Sequence, residues 1–389
     1  MSYGVGVNVA LVILHADPAR GGAERYTRDL AAGLTARGHA VAMVASTFAD
    51  VPAGVERVSV AATGATRVGR YARYLDGVEA ATGGFDIVHA MLPVRRCDVY
   101  HPHAGVAAEA VSAAGWAGHL NRRRVRFAAV ERRLLTGPRP PVVLCLSGLI
   151  RAAVHRHYPD LPDDRLVTLF NGTDLARFDP ARQPEPRPAV RQRFGIAANG
   201  VVGLMLAQDF ARKGLAQTIR VLQQVPGWTL LVGGRDDPAP YRRLAEQLGV
   251  ADRLHFAGNV PDPAPLYRAA DFFVLPTRRD PCSLVVLEAL SMGVPVVSTS
   301  RNGACEAMRD GEHGRVIADP DDVAALAEAV RGVLPADVRR RMSAACLALR
   351  PALSQEHHLD ALEQAYEGVS AAVGLRDHGR RSAKPQAAG

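Results

Sequence analysis

Two carboxylates, Asp280 and Glu288, lie eight positions apart in a segment whose apolar run ends at Gly293 and Pro295. The pattern predicts a helix that begins near Ser283 and is followed by a buried strand. Because the first N–H groups of a helix lack partners and carry the positive end of its dipole, they favour an anion such as phosphate. A carboxylate about one and a half turns into that helix can accept hydrogen bonds from ribose hydroxyls. The segment alone also fits an ordinary helix start with a solvated acid, so the other motifs decide between the two interpretations.

Two further loops carry residue types that suit a phosphorylated ligand. Gly21 and Gly22 follow the first predicted strand and precede a helix, so the backbone can approach a ligand closely there. The pair does not have the Gly-x-Gly-x-x-Gly spacing of a dinucleotide-binding fold. Arg212 and Lys213 follow another predicted strand, and Lys213 is one of only two lysines in the chain. Two adjacent cations can neutralise a diphosphate and stabilise it as it departs.

The composition is that of a globular enzyme with a basic charge balance. The 389 residues are 48% hydrophobic and 22% charged, and the net charge of +8 favours an anionic partner. No apolar run of about 18 residues and no signal-peptide pattern is present, so we expect neither a transmembrane helix nor an export signal. The five cysteines form no Cys-x-x-Cys pair, which predicts a reducing compartment without structural zinc or disulfides.

Strand-like and helix-like segments alternate through two halves of the chain. The alternation predicts parallel sheets covered on both faces, with one Rossmann-like domain in each half. We expect a first domain over residues 1–172, a second over 173–354, a helix over 355–372 that packs back on the first domain, and a disordered tail over 377–389. The predicted strands are 7–14, 40–46, 86–91, 142–147, 201–207, 229–232, 254–257, 272–275 and 295–298. The predicted helices include 23–37 and 106–135, and the proline-rich stretch 183–188 is predicted as a linker.

The motifs occur in the order found in one enzyme family. The sequence resembles the retaining glycosyltransferases of family 4, which have the two-domain GT-B fold, over residues 7–370. Within that family it is most similar to the glucosyltransferases that build the inner core of lipopolysaccharide. The family resemblance rests on Gly21-Gly22-Ala-Glu24, Asn171-Gly-Thr-Asp174, Arg212-Lys213-Gly214, Gly233-Gly234, Phe256-Ala-Gly258 and the acid pair ending Leu287-Glu288-Ala-Leu-Ser-Met-Gly-Val-Pro-Val. The narrower similarity rests on Asp98-Val-Tyr-His-Pro-His103 and Asp209-Phe-Ala-Arg-Lys-Gly214.

The resemblance implies a role for each motif in binding a nucleotide-sugar donor. Arg212 and Lys213 would hold the diphosphate. Glu288 would bind the ribose, and Asp280 would bind hydroxyls of the donor sugar. Family members usually have glutamate in place of Asp280, so the shorter side chain bears on which donor sugar is preferred. The other implied donor-binding residues are Gly21, Gly22, Asn171, Gly233, Phe256, Gly258, Ser283 and Leu284.

A loop histidine is the implied group beside the transferred sugar. His103 is the first candidate and His101 the second, although either can instead be an ordinary loop histidine. In front-face transfer the leaving diphosphate can take the acceptor proton. Arg212, Lys213 and Asp280 would then act with the histidine through positioning and electrostatics.

No metal or other cofactor is expected. Asp319 and Asp321 match the Asp-x-Asp pattern of metal-dependent sugar transferases. The adjoining Asp322 directly precedes a predicted helix over 323–330, where aspartate is a favoured cap. We therefore interpret this cluster as a helix start.

The strongest basic patch covers residues 116–135. As a single helix it would form an apolar side opposite a basic face, and such a helix can lie on an anionic membrane surface. The alternative is a core-facing helix with a solvated basic face. The arginines expected to contact membrane or acceptor are Arg122, Arg123, Arg124 and Arg126, and the apolar side would contain Trp116, Leu120, Phe127, Val130 and Leu134. Because no nucleic-acid-binding motif is present, we expect no nucleic-acid partner.

Together these features predict a cytoplasmic, membrane-peripheral, metal-independent transferase at the inner face of the cytoplasmic membrane. The expected donor is a UDP-linked sugar, with glucose as the first choice. The expected acceptor is a lipopolysaccharide core or another lipid-linked saccharide. Two alternatives are a nucleotide-sugar epimerase of the same fold and a non-catalytic nucleotide-sugar-binding protein. The cation pair and the acid pair argue against the first alternative. The Gly21-Gly22 pair and the loop with His101 and His103 argue against the second.

Overall fold

Two parallel β-sheets, each flanked by helices, form the two domains of the chain. The computed structural model describes residues 6–182 and 185–373, so the predicted tail at 377–389 lies outside the described residues. Strand residues 9–12 and 272–275 are fully buried. This burial is expected, because helices cover both faces of a parallel sheet.

The first domain contains a seven-stranded sheet in the order β5-β3-β1-β6-β7-β8-β9 and a separate pair of short strands, β2 and β4. The strands are β1 (Asn8–Val12), β2 (His15–Ala16), β3 (Ala40–Ala45), β4 (Thr47–Phe48), β5 (Glu56–Ser59), β6 (Ile87–Ala90), β7 (Val99–Tyr100), β8 (Val142–Cys145) and β9 (Leu166–Thr168). The helices are α1 (Gly22–Ala36), α2 (Arg67–Ala81), α3 (Ala107–Ser112), α4 (Gly115–Leu120), α5 (Arg122–Leu135) and α6 (Gly148–His157).

The second domain contains a six-stranded parallel sheet in the order β12-β11-β10-β13-β14-β15. Its strands are β10 (Val201–Leu206), β11 (Trp228–Gly233), β12 (Leu254–Gly258), β13 (Phe272–Leu275), β14 (Val296–Thr299) and β15 (Gly314–Ile317). The helices that follow the first domain are α7 (Arg187–Arg193), α8 (Phe210–Lys213), α9 (Leu215–Gln224), α10 (Ala239–Gln247), α11 (Ala264–Ala269), α12 (Leu284–Ser291), α13 (Val323–Val333), α14 (Ala336–Ala348), α15 (Arg350–Leu353) and α16 (Gln355–Val373).

The chain crosses between the domains twice, and the two crossings are hydrogen-bonded to each other. Thr173 N donates to Leu353 O at 2.8 Å, and Gln355 N donates to Thr173 O at 3.0 Å. After the second crossing, α16 returns to the first domain, where its apolar side joins the core. The residues of α16 buried there are Leu359, Leu362, Tyr366 and Val369. The part of the proline-rich stretch that is described belongs to the second domain, since Arg187 pairs with Asp271 at 2.6 Å.

The nine predicted strands are present with ends within two residues of the prediction, but the single helix predicted over 106–135 is wrong. Three helices, α3, α4 and α5, occupy that segment. Gly115 breaks it with a φ of 56°, a conformation that few residues other than glycine adopt. Asn121 then starts a new helix, because its side chain accepts from Arg124 N at 3.2 Å. Among the described residues, no helix has the length and apolarity needed to cross a membrane.

Candidate active site

The start of α12 stands at the centre of the cleft between the domains. Ser283 is its N-cap residue, as the sequence predicts, so the helix presents its first amides beside Asp280. The backbone of Asp280 is fixed by two bonds, one from its N–H to Arg301 O and one from Gly303 N to its own carbonyl, each 3.0 Å long. The loop before the helix is therefore held in one position.

Lys213 reaches this helix start from the neighbouring α8. Its Nζ forms an ion pair with Asp280 and lies 3.4 Å from Ser283 Oγ. Burial lowers the pKa of Lys213, while the charge of Asp280 acts in the opposite direction. Gly214 permits this approach, because it has a φ of 83° and any Cβ there would lie 2.4 Å from Pro276 O. Three of the predicted donor-binding residues therefore meet at one point.

Arg212 lies at the same end of α8 and is more exposed than Lys213. Its Nε is 3.1 Å from Asp209 Oδ2, and its Nη1 donates to the Arg279 carbonyl at 2.9 Å. The side chain thus holds the segment before Asp280 and still faces solvent. Both cations of the predicted pair border the loop that leads into α12.

Glu288 is buried one turn further along α12. Tyr267 Oη donates to its Oε2 at 2.8 Å, and Arg25 Nη1 approaches its Oε1 to 3.3 Å from the other domain. Burial raises the pKa of Glu288, whereas Arg25 lowers it. A cavity of about 160 Å³ between the domains is lined by both Arg25 and Glu288. Arg25 was not predicted as a site residue, although it directly follows the Gly-Gly-Ala-Glu motif.

The predicted glycines lie at close approaches of the backbone. A Cβ on Gly22 would lie 3.4 Å from Leu284 Cδ1, so α1 and α12 meet across the cleft. Gly21 precedes α1 as its N-cap residue. On the far side of the site, a Cβ on Gly233 would lie 2.6 Å from Leu206 Cδ2. A Cβ on Gly233 would therefore be too close to Leu206, whereas the Gly22 distance is an ordinary van der Waals contact.

The predicted base-binding segment lies at the end of β12. Gly258 has a φ of 66° and accepts a hydrogen bond of 2.8 Å from Gly234 N. Phe256 is half-buried, and the guanidinium of Arg242 lies 4.8 Å from its ring centroid. Arg242 was not predicted. The segment offers an aromatic surface at the carboxyl end of the sheet, where ligands of such folds bind.

His101 and His103 belong to a buried cluster of aromatic and imidazole rings. Their ring centroids are 4.2 Å apart, and Nε2 of each is buried without a hydrogen-bond partner among the described residues. His101 Nδ1 lies 3.3 Å from His89 Nε2. Burial lowers the pKa of both candidates well below the ordinary value, so both rings are neutral near pH 7. A neutral His103 can donate or accept one hydrogen bond in the cleft.

Four further members of this cluster were missed in the sequence. Tyr26 Oη lies 2.8 Å from His358 Nε2, and Tyr366 Oη lies 2.7 Å from His89 Nδ1. His358 and Tyr366 come from α16, so the returning helix supports the histidine loop from behind. The only available signal was that both share the apolar side of α16 with Leu359 and Leu362.

Three contacts tie the first domain to the loop around Asp280. Ser147 Oγ donates to Pro281 O at 2.7 Å, and Asn171 Nδ2 donates to Cys282 O at 3.3 Å. Glu306 of the second domain accepts from Gly148 N at 2.7 Å and from Leu149 N at 3.0 Å, at the start of α6. The predicted donor residue Asn171 therefore holds the donor loop through a backbone carbonyl.

The Asp-x-Asp cluster is a helix start, which confirms its interpretation as a cap. Asp322 accepts from Ala325 N at 2.9 Å at the beginning of α13. Asp321 accepts from Gln217 Nε2 at 2.7 Å and pairs with Arg278. Both side chains hold the start of α13 and its neighbours in place.

The basic patch lies on α4 and α5 at the rim of the first domain. The side chains of Arg122, Arg123 and Arg124 are exposed and that of Arg126 is half-buried. The prediction of one shared apolar side is wrong for Trp116 and Leu120. Val130 and Leu134 enter the core, whereas Trp116 is 79% exposed and Leu120 is 70% exposed on the separate helix α4. The break at Asn121 turns these two side chains to the surface.

Two Rossmann-like domains that face each other, with cations and a helix start in the cleft, define the GT-B class of sugar transferases. A family profile described as "Glycosyltransferase Family 4" matches residues 20–177, and one described as "Glycosyl transferases group 1" matches residues 200–335. The chain is 30% identical to the lipopolysaccharide glucosyltransferase WaaG of Escherichia coli over 323 residues, 81% of this chain and 86% of that protein. The chain belongs to glycosyltransferase family 4.

A solved structure of WaaG and a further relative are also similar to the chain. The crystal structure of WaaG, described as a glycosyltransferase involved in lipopolysaccharide biosynthesis, superposes with a TM-score of 0.80 at 26% identity, covering 95% of this chain and all of that one. A GDP-mannose-dependent phosphatidylinositol monomannoside mannosyltransferase of Mycolicibacterium smegmatis is 37% identical over 193 residues, 46% of this chain and 49% of that protein. The predicted family and GT-B fold are thus confirmed.

Proposed function

We propose that this glycosyltransferase moves glucose from UDP-glucose to a lipopolysaccharide core or another lipid-linked saccharide, with retention of configuration and without a metal ion. The contact of Lys213 Nζ with Asp280 and Ser283 at the start of α12 carries the proposal. It combines a buried cation, a carboxylate and the start of a helix at one point, an arrangement that suits a sugar diphosphate. The similarity to a lipopolysaccharide glucosyltransferase supports the choice of sugar and acceptor.

In the proposed reaction, the donor diphosphate lies between Lys213, Arg212 and the first amides of α12. The cations offset the charge that develops on the leaving group, and the helix dipole acts in the same direction. On diphosphate binding, Lys213 exchanges part of its contact with Asp280 for phosphate oxygens. Asp280 is then free to accept hydrogen bonds from donor-sugar hydroxyls.

The remaining groups orient the two substrates. Glu288 binds the ribose and Phe256 borders the base. His103, kept neutral by burial, hydrogen-bonds the transferred sugar or the acceptor hydroxyl. The acceptor proton passes to the departing diphosphate, so no strongly basic side chain is required.

We place the protein on the cytoplasmic side of an anionic membrane through α4 and the start of α5. Two exposed apolar side chains, Trp116 and Leu120, stand beside Arg122 and Arg123 there. An aromatic side chain with flanking arginines suits the boundary between headgroups and acyl chains. Each arginine near the headgroups contributes about 1 kcal/mol.

Vesicle sedimentation tests this placement. Replacement of Arg122, Arg123, Arg124 and Arg126 by Gln should weaken binding to phosphatidylglycerol vesicles at least tenfold, as several contributions of ~1 kcal/mol are lost. A control with Arg220, Arg243, Arg331 and Arg341 replaced by Gln removes the same charge from exposed sites on the second domain. Equal losses in both variants would contradict a specific membrane surface.

Product analysis tests the reaction itself. The purified protein, UDP-glucose and a truncated core lipopolysaccharide are incubated, and the products are examined by mass spectrometry and NMR. A new glycosidic bond with the donor's anomeric configuration supports the proposal. An epimerised donor would identify an epimerase instead. Donor binding without either product would identify a non-catalytic binding protein.

A further inference from the structure

A long groove on the first domain borders the loop that carries His103. Its volume is about 1,090 Å³, and it lies between the start of α2 and helices α3 to α5. Ala104 and Gly105, which directly follow His103, form part of its wall. The groove therefore leads to the position at which the proposed transfer takes place. A bound acceptor must lie beside that position.

The lining of this groove combines an apolar floor with uncompensated positive charge. Its apolar part includes Met91, Leu92, Pro93, Tyr100 and Phe127. Five arginines also line the groove, and no aspartate or glutamate does so among the described residues: Arg67, Arg122, Arg123, Arg124 and Arg126. Such a lining suits a saccharide that carries strongly anionic groups. Its sugar rings would stack on the apolar floor, and its anionic groups would bind the arginines.

The groove arginines have no acidic partners within the part of the chain that the structure describes. Nearby arginines outside the groove are paired: Arg95 contacts Glu79 at 3.0 Å, and Arg156 contacts Glu109 at 2.8 Å. Inside the groove, by contrast, Nε of Arg126 is buried and has no hydrogen-bond partner. A buried guanidinium nitrogen without an acceptor is costly, and a bound anion would satisfy it.

The second domain contributes one more cation to this region. Arg279 precedes Asp280 and is half-buried, and a Cβ built on Gly105 would lie 3.5 Å from its Nη2. Its neighbour Arg278 is paired with Asp321, whereas no described carboxylate lies within ion-pair distance of Arg279. The guanidinium of Arg279 thus crosses the cleft and touches the wall of the groove.

The electrostatic surroundings of Arg279 are also unbalanced. Burial lowers the pKa of Arg279, and the charges of Arg124 and Arg156 lower it further. The charge of Glu109 opposes this effect on the pKa of Arg279. Glu109 is already bound by Arg156 and by His157, whose Nε2 is 2.6 Å away. The positive charge of Arg279, Arg124 and Arg156 therefore exceeds the negative charge of Glu109.

We infer that Arg279 and Arg124, with the other groove arginines, bind a phosphate group carried by the acceptor saccharide. The inference rests on the proposed function, because it assigns an acceptor to a transferase. Arginine suits this role, since its planar donors match two phosphate oxygens at once. A dianionic phosphate fits a groove lined by five cations better than a single carboxylate does. Because Arg279 belongs to the donor domain, the complete phosphate site forms only when the two domains are closed.

The recessed members of this cluster are poorly placed to bind membrane headgroups or the donor. Arg279 and Arg126 are half-buried, whereas Arg122 and Arg123 are exposed next to the exposed apolar residues Trp116 and Leu120 of α4. The donor diphosphate has its own proposed cations at Arg212 and Lys213. Arg279, Arg126 and Arg124 are therefore assigned to the acceptor molecule.

Two acceptor preparations that differ only in their phosphate groups test this inference. The probes are a deacylated core lipopolysaccharide and the same preparation after chemical removal of its phosphates. KM and kcat for each are measured with the wild-type protein and with Arg279→Ala, Arg124→Ala and the control Arg331→Ala, which removes an exposed arginine of α13. Direct titration of each probe in the presence of UDP reports binding without transfer, and UDP-glucose binding is measured for each variant.

The expected result is a KM about tenfold lower for the phosphorylated probe in the wild type, from one charge-assisted phosphate contact. Arg279→Ala and Arg124→Ala should abolish this preference in KM without weakening UDP-glucose binding, and Arg331→Ala should keep the preference. Equal wild-type KM values for both probes, or a loss of vesicle binding in Arg124→Ala with the phosphate preference intact, would overturn the inference. Binding of the phosphorylated probe without transfer would support the phosphate site and contradict the proposed function. Transfer to both probes without any phosphate preference would support the proposed function and contradict the phosphate site.

Discussion

Arg25 on α1 of the first domain and Glu288 on α12 of the second form an ion pair across the cleft, with Nη1 3.3 Å from Oε1. Glu288 is the residue proposed to bind the ribose, and it is almost fully buried. The acceptor domain therefore helps to set the charge of a donor-binding carboxylate. This contact couples closure of the domains to the state of the donor site.

Donor binding should depend on pH through this pair. Burial raises the pKa of Glu288 and Arg25 lowers it, and the ionised carboxylate is the form that accepts ribose hydrogens. In Arg25→Ala the pKa should rise further, so the pH at which UDP-glucose binding appears should move upward. Titrations across the acid range measure this midpoint. Arg28→Ala, on the same helix, should leave it in place, and an unmoved midpoint in Arg25→Ala would contradict the coupling.

Glu306 should favour the closed arrangement of the domains. Its carboxylate accepts from two amides at the start of α6, an interaction worth ~0.3–1 kcal/mol for an exposed charge at a helix N-terminus. Glu306→Gln should therefore increase the radius of gyration measured by small-angle scattering and raise KM for both substrates by a few fold. Glu328→Gln, which changes an exposed glutamate of α13, serves as the control. Identical scattering for both variants would show that closure does not depend on this contact.

The buried histidines should make the fold sensitive to acid. Burial lowers the pKa of His358 to about 4 and that of His89 to about 3. When the pH lies below the histidine pKa of the unfolded chain, the unfolded chain therefore binds protons that the folded chain does not. Stability should thus fall as the pH decreases from about 6.5 toward 4, by ~1.4 kcal/mol per pH unit for each histidine.

His358→Gln removes one of these groups and should make the pH dependence of the unfolding free energy less steep by that amount. His357→Gln, at the exposed neighbouring position, should retain the wild-type slope. Denaturant unfolding at several pH values measures both. Parallel curves for the wild type and His358→Gln would show that His358 is not held neutral in the folded state.

Glu131 should be important for the loop that carries the candidate histidines. This fully buried carboxylate accepts from the hydroxyls of Tyr100 and Tyr158 at 2.6 and 2.8 Å, and from Ala107 N and Ala108 N at 2.9 and 3.0 Å. It joins α5 to the start of α3. Glu131→Ala leaves two buried hydroxyls and two half-buried amides without an acceptor and should reduce the unfolding free energy by roughly 3 kcal/mol or more. Glu79→Ala, at an exposed site, should change it by less than about 1 kcal/mol. A small effect of Glu131→Ala would mean that water replaces the carboxylate.

The strands that were predicted correctly are those that the sequence marks by an apolar run. Strands β10 and β13 are continuous apolar runs bounded by turn residues, and a parallel strand covered on both faces needs such a run. By contrast, β7 has two residues and β5 is exposed at three of its four positions, so neither leaves a clear pattern. The break between α4 and α5 depends on Gly115 and Asn121, and apolar periodicity alone does not detect it.

The candidate site could be predicted in parts but not as an arrangement. Lys213, Asp280 and Ser283 belong to recognisable motifs, yet their mutual contact depends on how β10 and β13 pair. Arg25 and Glu288 are 263 positions apart, and only the closed cleft brings them together. His358 was not recognisable because its role follows from the return of α16 to the first domain.

Thermal stabilisation by nucleotide sugars, measured without added metal, tests the central claim most directly. A ligand well above its Kd raises the melting temperature of the state that binds it. UDP-glucose, UDP-N-acetylglucosamine, GDP-mannose and ADP-heptose are compared on the wild type, on Lys213→Ala and on the exposed control Arg220→Ala. The account predicts a shift with UDP-glucose that is lost in Lys213→Ala and retained in Arg220→Ala. No shift with any of the four donors, or an equal shift in Lys213→Ala, would contradict a donor site at the start of α12.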